Sequence, residues 1–185
     1  MDTVNECLTD CAFFPKHLSD SFCDSLVTAY SQDNVTKEPP IVGNKNKIDK
    51  SIRDVERVIL PQSQGIGSAL TSTGLNANHY WWKYNITHSN QTEFLIYKPN
   101  GHYKPHVDTW HTHGDNTRKL TVLALLNDDY EGGKFFLNSG GTPYYPFQEK
   151  GTILVFPSYM VHGVEPVTKG IRYSAVTWLE GPYFK

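Results

Sequence analysis

The sequence predicts a mainly β protein with flanking helices, built as an antiparallel sandwich or jelly roll. Three observations carry that prediction. From Thr92 onward the chain breaks into short apolar runs separated by turn signals, the spacing expected of strands in an all-β fold. Aromatic residues make up 13% of the chain, with 11 Tyr and 4 Trp, which suits pleated sheets better than a helix bundle. At 185 residues there is chain enough for one domain with a sizeable core. Within that single domain, 1–185, residues 1–91 read as helical and strand support and 92–180 as the jelly-roll core.

The elements follow in order. Segment 15–30, PKHLSDSFCDSLVTAY, predicts a helix: Ser19 or Asp20 can cap it, and Phe22, Leu26, Val27 and Tyr30 form an apolar stripe. Residues 31–50 are polar, with Pro, Gly and four lysines, and predict a long loop that is either a solvated connector or a cover over a site. A short strand is predicted over 51–59, a second helix over 62–76 despite three glycines, and a strand through the aromatic run 79–84. Core strands are predicted near 92–98, 103–108, 119–126, 133–137, 143–147, 151–156, 161–167 and 171–179. Turns between them come from Pro99-Asn100-Gly101, Glu131-Gly132-Gly133, Ser139-Gly140-Gly141 and Lys169-Gly170. The polar stretch 109–117, TWHTHGDNT, predicts a loop overhanging whatever the preceding residues build.

Those preceding residues are YKPNGHYKPHVD, 97–108. A strand has period 2, so His106 and Asp108 project from one face while Val107 points the other way. An imidazole beside a carboxylate suits a borderline divalent metal. The best third ligand is His162 in FPSYMVHGVEPV; His111 and His113 are rivals on spacing, but a glycine-bearing loop fixes side chains less well than a strand. Two histidines and one carboxylate form the facial triad of non-haem Fe(II) sites, which leaves metal positions open. Ten residues after His162, Arg172 opens the apolar run RYSAVTW, and a buried arginine there demands an anion. The strands bearing His162 and Arg172 are expected to be adjacent, joined by the turn at 165–170. Tyr97 lies on the face opposite Phe94 and Ile96. Tyr103 has the wrong parity to share a face with His106 unless a turn or bulge intervenes.

The same residues resemble the 2-oxoglutarate/Fe(II) dioxygenases, in particular their prolyl 4-hydroxylase-like branch. The resemblance runs through the lead-in 97–108, LNDDYEGGKFFL, GTILVFPS and HGVEPVTKGIRYSAVTW, most of 92–180. It implies a double-stranded β-helix with Fe(II) on His106, Asp108 and His162. It also implies 2-oxoglutarate as co-substrate anchored by Arg172, O2 as oxidant and ascorbate as a reductant. By the same likeness Tyr97 and Thr121 lie near the co-substrate, and Tyr103, Arg53, Asp54, Arg118 and Trp178 near the substrate, Trp178 as a flat wall for a proline ring. Animal oxygen-sensing prolyl hydroxylases carry a tyrosine where this chain has Leu125; that tyrosine helps hold the co-substrate's distal carboxylate, which leaves Thr121 as the remaining helper here. The close of the chain is similar to bacterial and phage PKHD-type hydroxylases. The implied activity is hydroxylation of a prolyl residue in a protein or peptide, with release of succinate and CO2. Alternatives are the same chemistry on a free amino acid, another side chain or a nucleobase, and a non-catalytic jelly-roll binding module. Retention of His106, Asp108, His162 and Arg172 together argues against the last.

Composition removes other classes. A net charge of −2 argues against a broad electrostatic grip on nucleic acid, with only Lys37, Lys45, Lys47 and Lys50 offering a local basic patch. No apolar run reaches the length of a membrane span. The first residues lack the charge and apolar pattern of a secretory signal, so a cytoplasmic location is expected. Three cysteines, Cys7, Cys11 and Cys23, are an odd count that fits thiols in a reducing compartment.

Overall fold

In–out alternation along the core strands builds two sheets, with an apolar layer on each side of the larger one. The computed structural model describes residues 10–39, 48–63, 65–109 and 115–184. Strand β1 (Ala12–Phe14) precedes helix α1 (Asp20–Tyr30), and β2 (Arg53–Asp54) and β3 (Glu56–Leu60) precede α2 (Gly65–Ala77). Then follow β4 (His88–Ser89), β5 (Thr92–Tyr97), β6 (His102–His106), β7 (Asn116–Leu125), β8 (Glu131–Gly132) and β9 (Phe135–Asn138). The last four are β10 (Ile153–Pro157), β11 (Val161–Val164), β12 (Val167–Lys169) and β13 (Arg172–Pro182). A seven-stranded sheet runs β1-β10-β7-β13-β5-β3 with β4 added on β13, and a four-stranded sheet runs β2-β6-β11-β9. Strands β8 and β12 form a separate pair. The architecture is a jelly roll, and it draws on the first 91 residues for β1, β3 and β4 of the larger sheet and β2 of the smaller.

Side-chain parity sorts the core. Phe94 and Ile96 of β5, with Leu120, Val122 and Ala124 of β7, face the helices and pack with Leu26, Ile66 and Leu70. Leu95 and Tyr97, with Leu123 and Leu125, face the smaller sheet and meet Phe135, Phe156 and Val164. Ser19 caps α1, its hydroxyl accepting from the Phe22 amide. The glycines of α2 have a packing reason: a Cβ on Gly74 would lie 2.6 Å from Val122 Cγ2 and 2.8 Å from Leu179 Cδ1, so glycine lets the helix settle on the sheet.

Several predicted strands differ. The run 79–84 is not a strand but a π-helical turn over Asn78–Trp82, closed by the Asn78 amide, which donates to the Tyr84 carbonyl and accepts from the Tyr84 amide. That side-chain clasp overrides the aromatic preference for strand. The strand predicted over 51–59 divides at the buried Val55 between sheets: Arg53 pairs with Tyr103, whereas Glu56 pairs with Ile96. Strand 143–147 is reduced to one bridge, Tyr144 to Leu137, because Pro143 and Pro146 lack donors for a ladder. Strand 161–167 splits into β11 and β12 around Pro166 for the same reason. The predicted strand 103–108 stops at His106, and the loop predicted over 109–117 ends sooner, since Asn116 and Thr117 open β7. Among the described residues, no helix is long and apolar enough to cross a membrane.

Candidate active site

His106 ends β6 and His162 lies on β11, and the two are register partners across one antiparallel pair. Asp108 sits two residues beyond β6, where its amide donates to the Ser158 carbonyl. The alternation continues past the end of the strand: Val107 is exposed, whereas Asp108 is buried on the side of His106. The Nε2 of His106 is 3.5 Å from Asp108 Oδ1, and the Nε2 of His162 is 3.2 Å from Oδ2. One ligand atom from each residue lies within 4.8 Å of the others, so the three could hold a single metal ion.

Backbone carbonyls set the imidazole tautomers. His106 Nδ1 faces the Lys104 carbonyl at 2.8 Å, and His162 Nδ1 faces the Met160 carbonyl at 2.9 Å. A carbonyl only accepts, so each Nδ1 carries the proton and each neutral ring presents an Nε2 lone pair inward. Asp108 Oδ2 accepts from Thr121 Oγ1 and from Trp178 Nε1, both at 2.9 Å. Such partners orient a ligating carboxylate. Burial opposes ionisation of Asp108, but the two histidines outweigh it and hold its carboxyl well below the usual range. Burial lowers the pKa of His106. For His162 burial acts in the same sense, yet Asp108 overcomes it and raises the value.

Across the sandwich, Arg172 opens β13 and is 1% exposed. It is therefore not on a strand adjacent to that of His162: β11 and β13 belong to different sheets, and β12 intervenes. Arg172 Nη1 donates to Ser174 Oγ at 2.9 Å, while its Nε and Nη2 have no hydrogen-bond partner among the described residues. A buried guanidinium with two unanswered donors, opening into the cavity that also holds the three ligands, fits an anionic group. Gly133 leaves room for it: the residue has φ +58°, and a Cβ there would lie 3.2 Å from Arg172 Cδ. Leu125 is the register partner of Ser174, so the hydroxyl beside Arg172 comes from Ser174, which the sequence reading passed over. An arginine and a serine two apart on a strand share a face, and that spacing was a usable signal.

The other predicted residues divide. Tyr97 is fully buried in this cavity, 5.2 Å from the Arg172 guanidinium, with its hydroxyl pKa pushed up by burial. Thr121 lines the same cavity, but its hydroxyl is bonded to Asp108 and Ser158, so it reaches the carboxylate rather than Arg172. Tyr103 does face inward with His106, because β6 spends three residues against two of β11 at an irregular register. Its hydroxyl is pushed up to about 12, chiefly by burial. Arg53 lines the cavity and pairs with Glu93, whereas Asp54, its neighbour of opposite parity, turns away towards Lys50. Trp178 reaches the site by its indole edge, and the guanidinium of Arg118 covers a ring face 3.7 Å from the centroid. One face of the Trp178 ring is thus taken by a cation, while the residue still lines the cavity. His111 and His113 lie outside the described residues, as do Lys45 and Lys47. Glu93, a buried acid in the apolar strand TEFLIY, was missed; a lone charge in such a run signals a buried pair.

Residues 92–180 match the model of the 2OG-Fe(II) oxygenase superfamily. Over those residues the chain is similar to this superfamily. Its curated relatives include a PKHD-type hydroxylase of Synechococcus sp. (strain CC9311), 37% identical over 90 residues, which are 47% of this chain and 41% of that protein. Another, from Alteromonas mediterranea, is 36% identical over 61 residues, 33% of this chain and 27% of that protein. The chain thus spans well under half the length of these relatives. Among solved structures, it is similar in fold to a Pseudomonas putida prolyl-4-hydroxylase, with TM-score 0.74 and 18% identity, covering 93% of each chain. It is also similar to a Trichoplax adhaerens prolyl hydroxylase in complex with a hypoxia inducible factor peptide fragment. There the TM-score is 0.78 at 19% identity, over 93% of this chain and 84% of that one. The description of the matched family names Fe(II) and 2-oxoglutarate, and His106, Asp108 and His162 form a group that could hold a metal ion.

Proposed function

We propose that the chain is an Fe(II)- and 2-oxoglutarate-dependent hydroxylase acting on a prolyl residue in a protein or peptide, with release of succinate and CO2. One observation carries this reading: His106, Asp108 and His162 converge in the cavity into which the buried, partly unanswered guanidinium of Arg172 opens. In this reading the two Nε2 atoms and the Asp108 carboxylate hold the metal, and Arg172 holds the distal carboxylate of 2-oxoglutarate, steadied by Ser174. The bound metal, with 2-oxoglutarate and O2, supplies the oxidising chemistry, and ascorbate serves as reductant. Thr121 and Trp178 keep the Asp108 carboxylate in place, and Tyr97 offers a phenol beside the co-substrate. Leu123, Phe156 and Val176 line the cavity with apolar surface that excludes water.

The test is a mass-spectrometric screen of proline-containing peptides and free amino acids with Fe(II), ascorbate and 2-oxoglutarate. A peptide product heavier by about 16 Da at proline supports the reading. A product from free amino acids alone would overturn its substrate half, and absence of succinate with every substrate would overturn the rest.

Two further expectations arise from the hydrogen bonds at the metal ligands. Thr121→Val removes one bond to Asp108 while keeping the shape, and Trp178→Phe removes the other together with part of the ring, so each should weaken Mn(II) binding about 10–100-fold. Titration of metal-free protein followed by electron paramagnetic resonance measures this, and unchanged binding in both variants would count against the orienting role. Protons compete with metal for His162 Nε2. Because Asp108 raises the pKa of His162, the competing proton binds already above the ordinary imidazole value of about 6.5. Mn(II) affinity should therefore begin to fall on acidification while the pH is still above that value; a fall confined to lower pH would contradict the shift.

A further inference from the structure

Glu93 projects from β5 to the inner side of the sheet and is 3% exposed. A carboxylate so buried has to be paired, and Glu93 meets two cations. Its Oε2 accepts from Arg53 Nη2 at 3.2 Å and its Oε1 accepts from Arg57 Nη1. Arg57 turns its Nη2 to Glu38 and does not line the cavity of the metal ligands. Arg53 does line it, and its guanidinium lies over the ring of Tyr103, 4.7 Å from the centroid. The ring of Tyr103 is stacked on His106, with centroids 3.5 Å apart and planes within 18°. At that separation the imidazole covers one face of the phenol ring, so the guanidinium takes the other. The order is therefore Glu93, Arg53, Tyr103, His106, each resting on the one before.

The Nδ1 contact to Lys104 fixes His106 within the plane of its ring, but one hydrogen bond leaves the ring free to tilt about that contact. The stacked ring of Tyr103 removes this freedom. A guanidinium is planar and attracted to an aromatic face, so Arg53 can press Tyr103 against the imidazole while its charge is met by Glu93. We propose that Arg53, held by Glu93, is a positioning residue for His106 that acts through the ring of Tyr103, and that these residues set the metal affinity of the site. The proposal rests on the reading of His106, Asp108 and His162 as metal ligands. It gives Arg53 and Tyr103 a part in the metal centre, and it assigns the work of Tyr103 to its ring rather than its hydroxyl.

The test is Mn(II) titration of the metal-free full chain, with melting temperature measured alongside. Arg53→Met should weaken Mn(II) binding about tenfold or more, and Tyr103→Leu about 10–100-fold, the range for groups that orient metal ligands. Tyr103→Phe keeps the ring and should bind within about twofold of the wild type. Arg57→Met is the decisive control, because it strips a cation from the same Glu93 without touching Tyr103. It should lower the melting temperature as Arg53→Met does yet leave Mn(II) affinity unchanged. The visible spectrum of the Co(II) form should shift in Arg53→Met and not in Arg57→Met. If Arg53→Met does not fold, Arg53→Lys, which keeps the charge and loses the flat face, should still weaken binding relative to Arg57→Met. Equal loss of affinity in the Arg53 and Arg57 variants, or wild-type affinity in Tyr103→Leu, would overturn the proposal alone. A wild-type chain with no single tight Mn(II) site would overturn the metal reading and the proposal with it.

Discussion

Arg172→Leu is expected to raise the apparent KM for 2-oxoglutarate by two to three orders of magnitude. The guanidinium is buried, donates one hydrogen bond to Ser174 and has Nε and Nη2 to spare for an anion. Removing one partner of a buried charge pair costs roughly 3–5 kcal/mol, and about 1.4 kcal/mol is a factor of ten. Leucine fills part of the volume but leaves the incoming carboxylate without a cation in an apolar cavity. Arg172→Lys keeps the charge and loses the planar fork, so its KM should lie between wild type and Arg172→Leu. Ser174→Ala should have a smaller effect again, since the serine steadies the fork without carrying the charge. The measurement is succinate formation against 2-oxoglutarate concentration at fixed Fe(II). An Arg172→Leu variant with unchanged co-substrate dependence would mean that the anchor lies elsewhere in the cavity.

Local signals in the sequence served where the chain makes the structure locally. The spacing of His106 and Asp108 pointed to a shared site, and it did so although Asp108 lies past the end of β6. Alternation in TEFLIY placed Tyr97 opposite Phe94 and Ile96, as the two core clusters have it. What stayed hidden was pairing between distant segments. The meeting of His162 with His106 depends on the register of β11 on β6, and that of Arg53 with Glu93 on β2 and β5 entering different sheets. Arg172 faces the ligands across the sandwich rather than from a neighbouring strand, a relation that spacing along the chain does not encode. The π-helical turn at Asn78 escaped because one side-chain amide, bonding Tyr84 at both ends, outweighs the strand preference of four aromatic neighbours.

Asp108→Asn should weaken Mn(II) binding by more than about a hundredfold and abolish turnover. The loss has to exceed that of Thr121→Val or Trp178→Phe, because those act through the carboxylate and this removes it. The substitution also separates charge from shape. Asparagine keeps the volume, and its amide oxygen can still accept from Thr121 and Trp178. That orientation turns the amide NH2 towards His106, the partner of the other carboxylate oxygen. An Nε2 lone pair that accepts from an NH2 group is no longer offered to a metal, so the variant loses the anion and blocks a neighbouring ligand at once. Asp108→Ala would instead leave the hydroxyl of Thr121 and the indole N–H facing a void, which confuses metal loss with instability. The Asn variant should therefore keep a cooperative thermal transition within a few degrees of the metal-free wild type, and unlike the wild type its melting temperature should not rise when Mn(II) is added. An Asp108→Asn chain that binds Mn(II) within about tenfold of wild type would show that the two histidines suffice, and the three-ligand reading of the site would have to be abandoned.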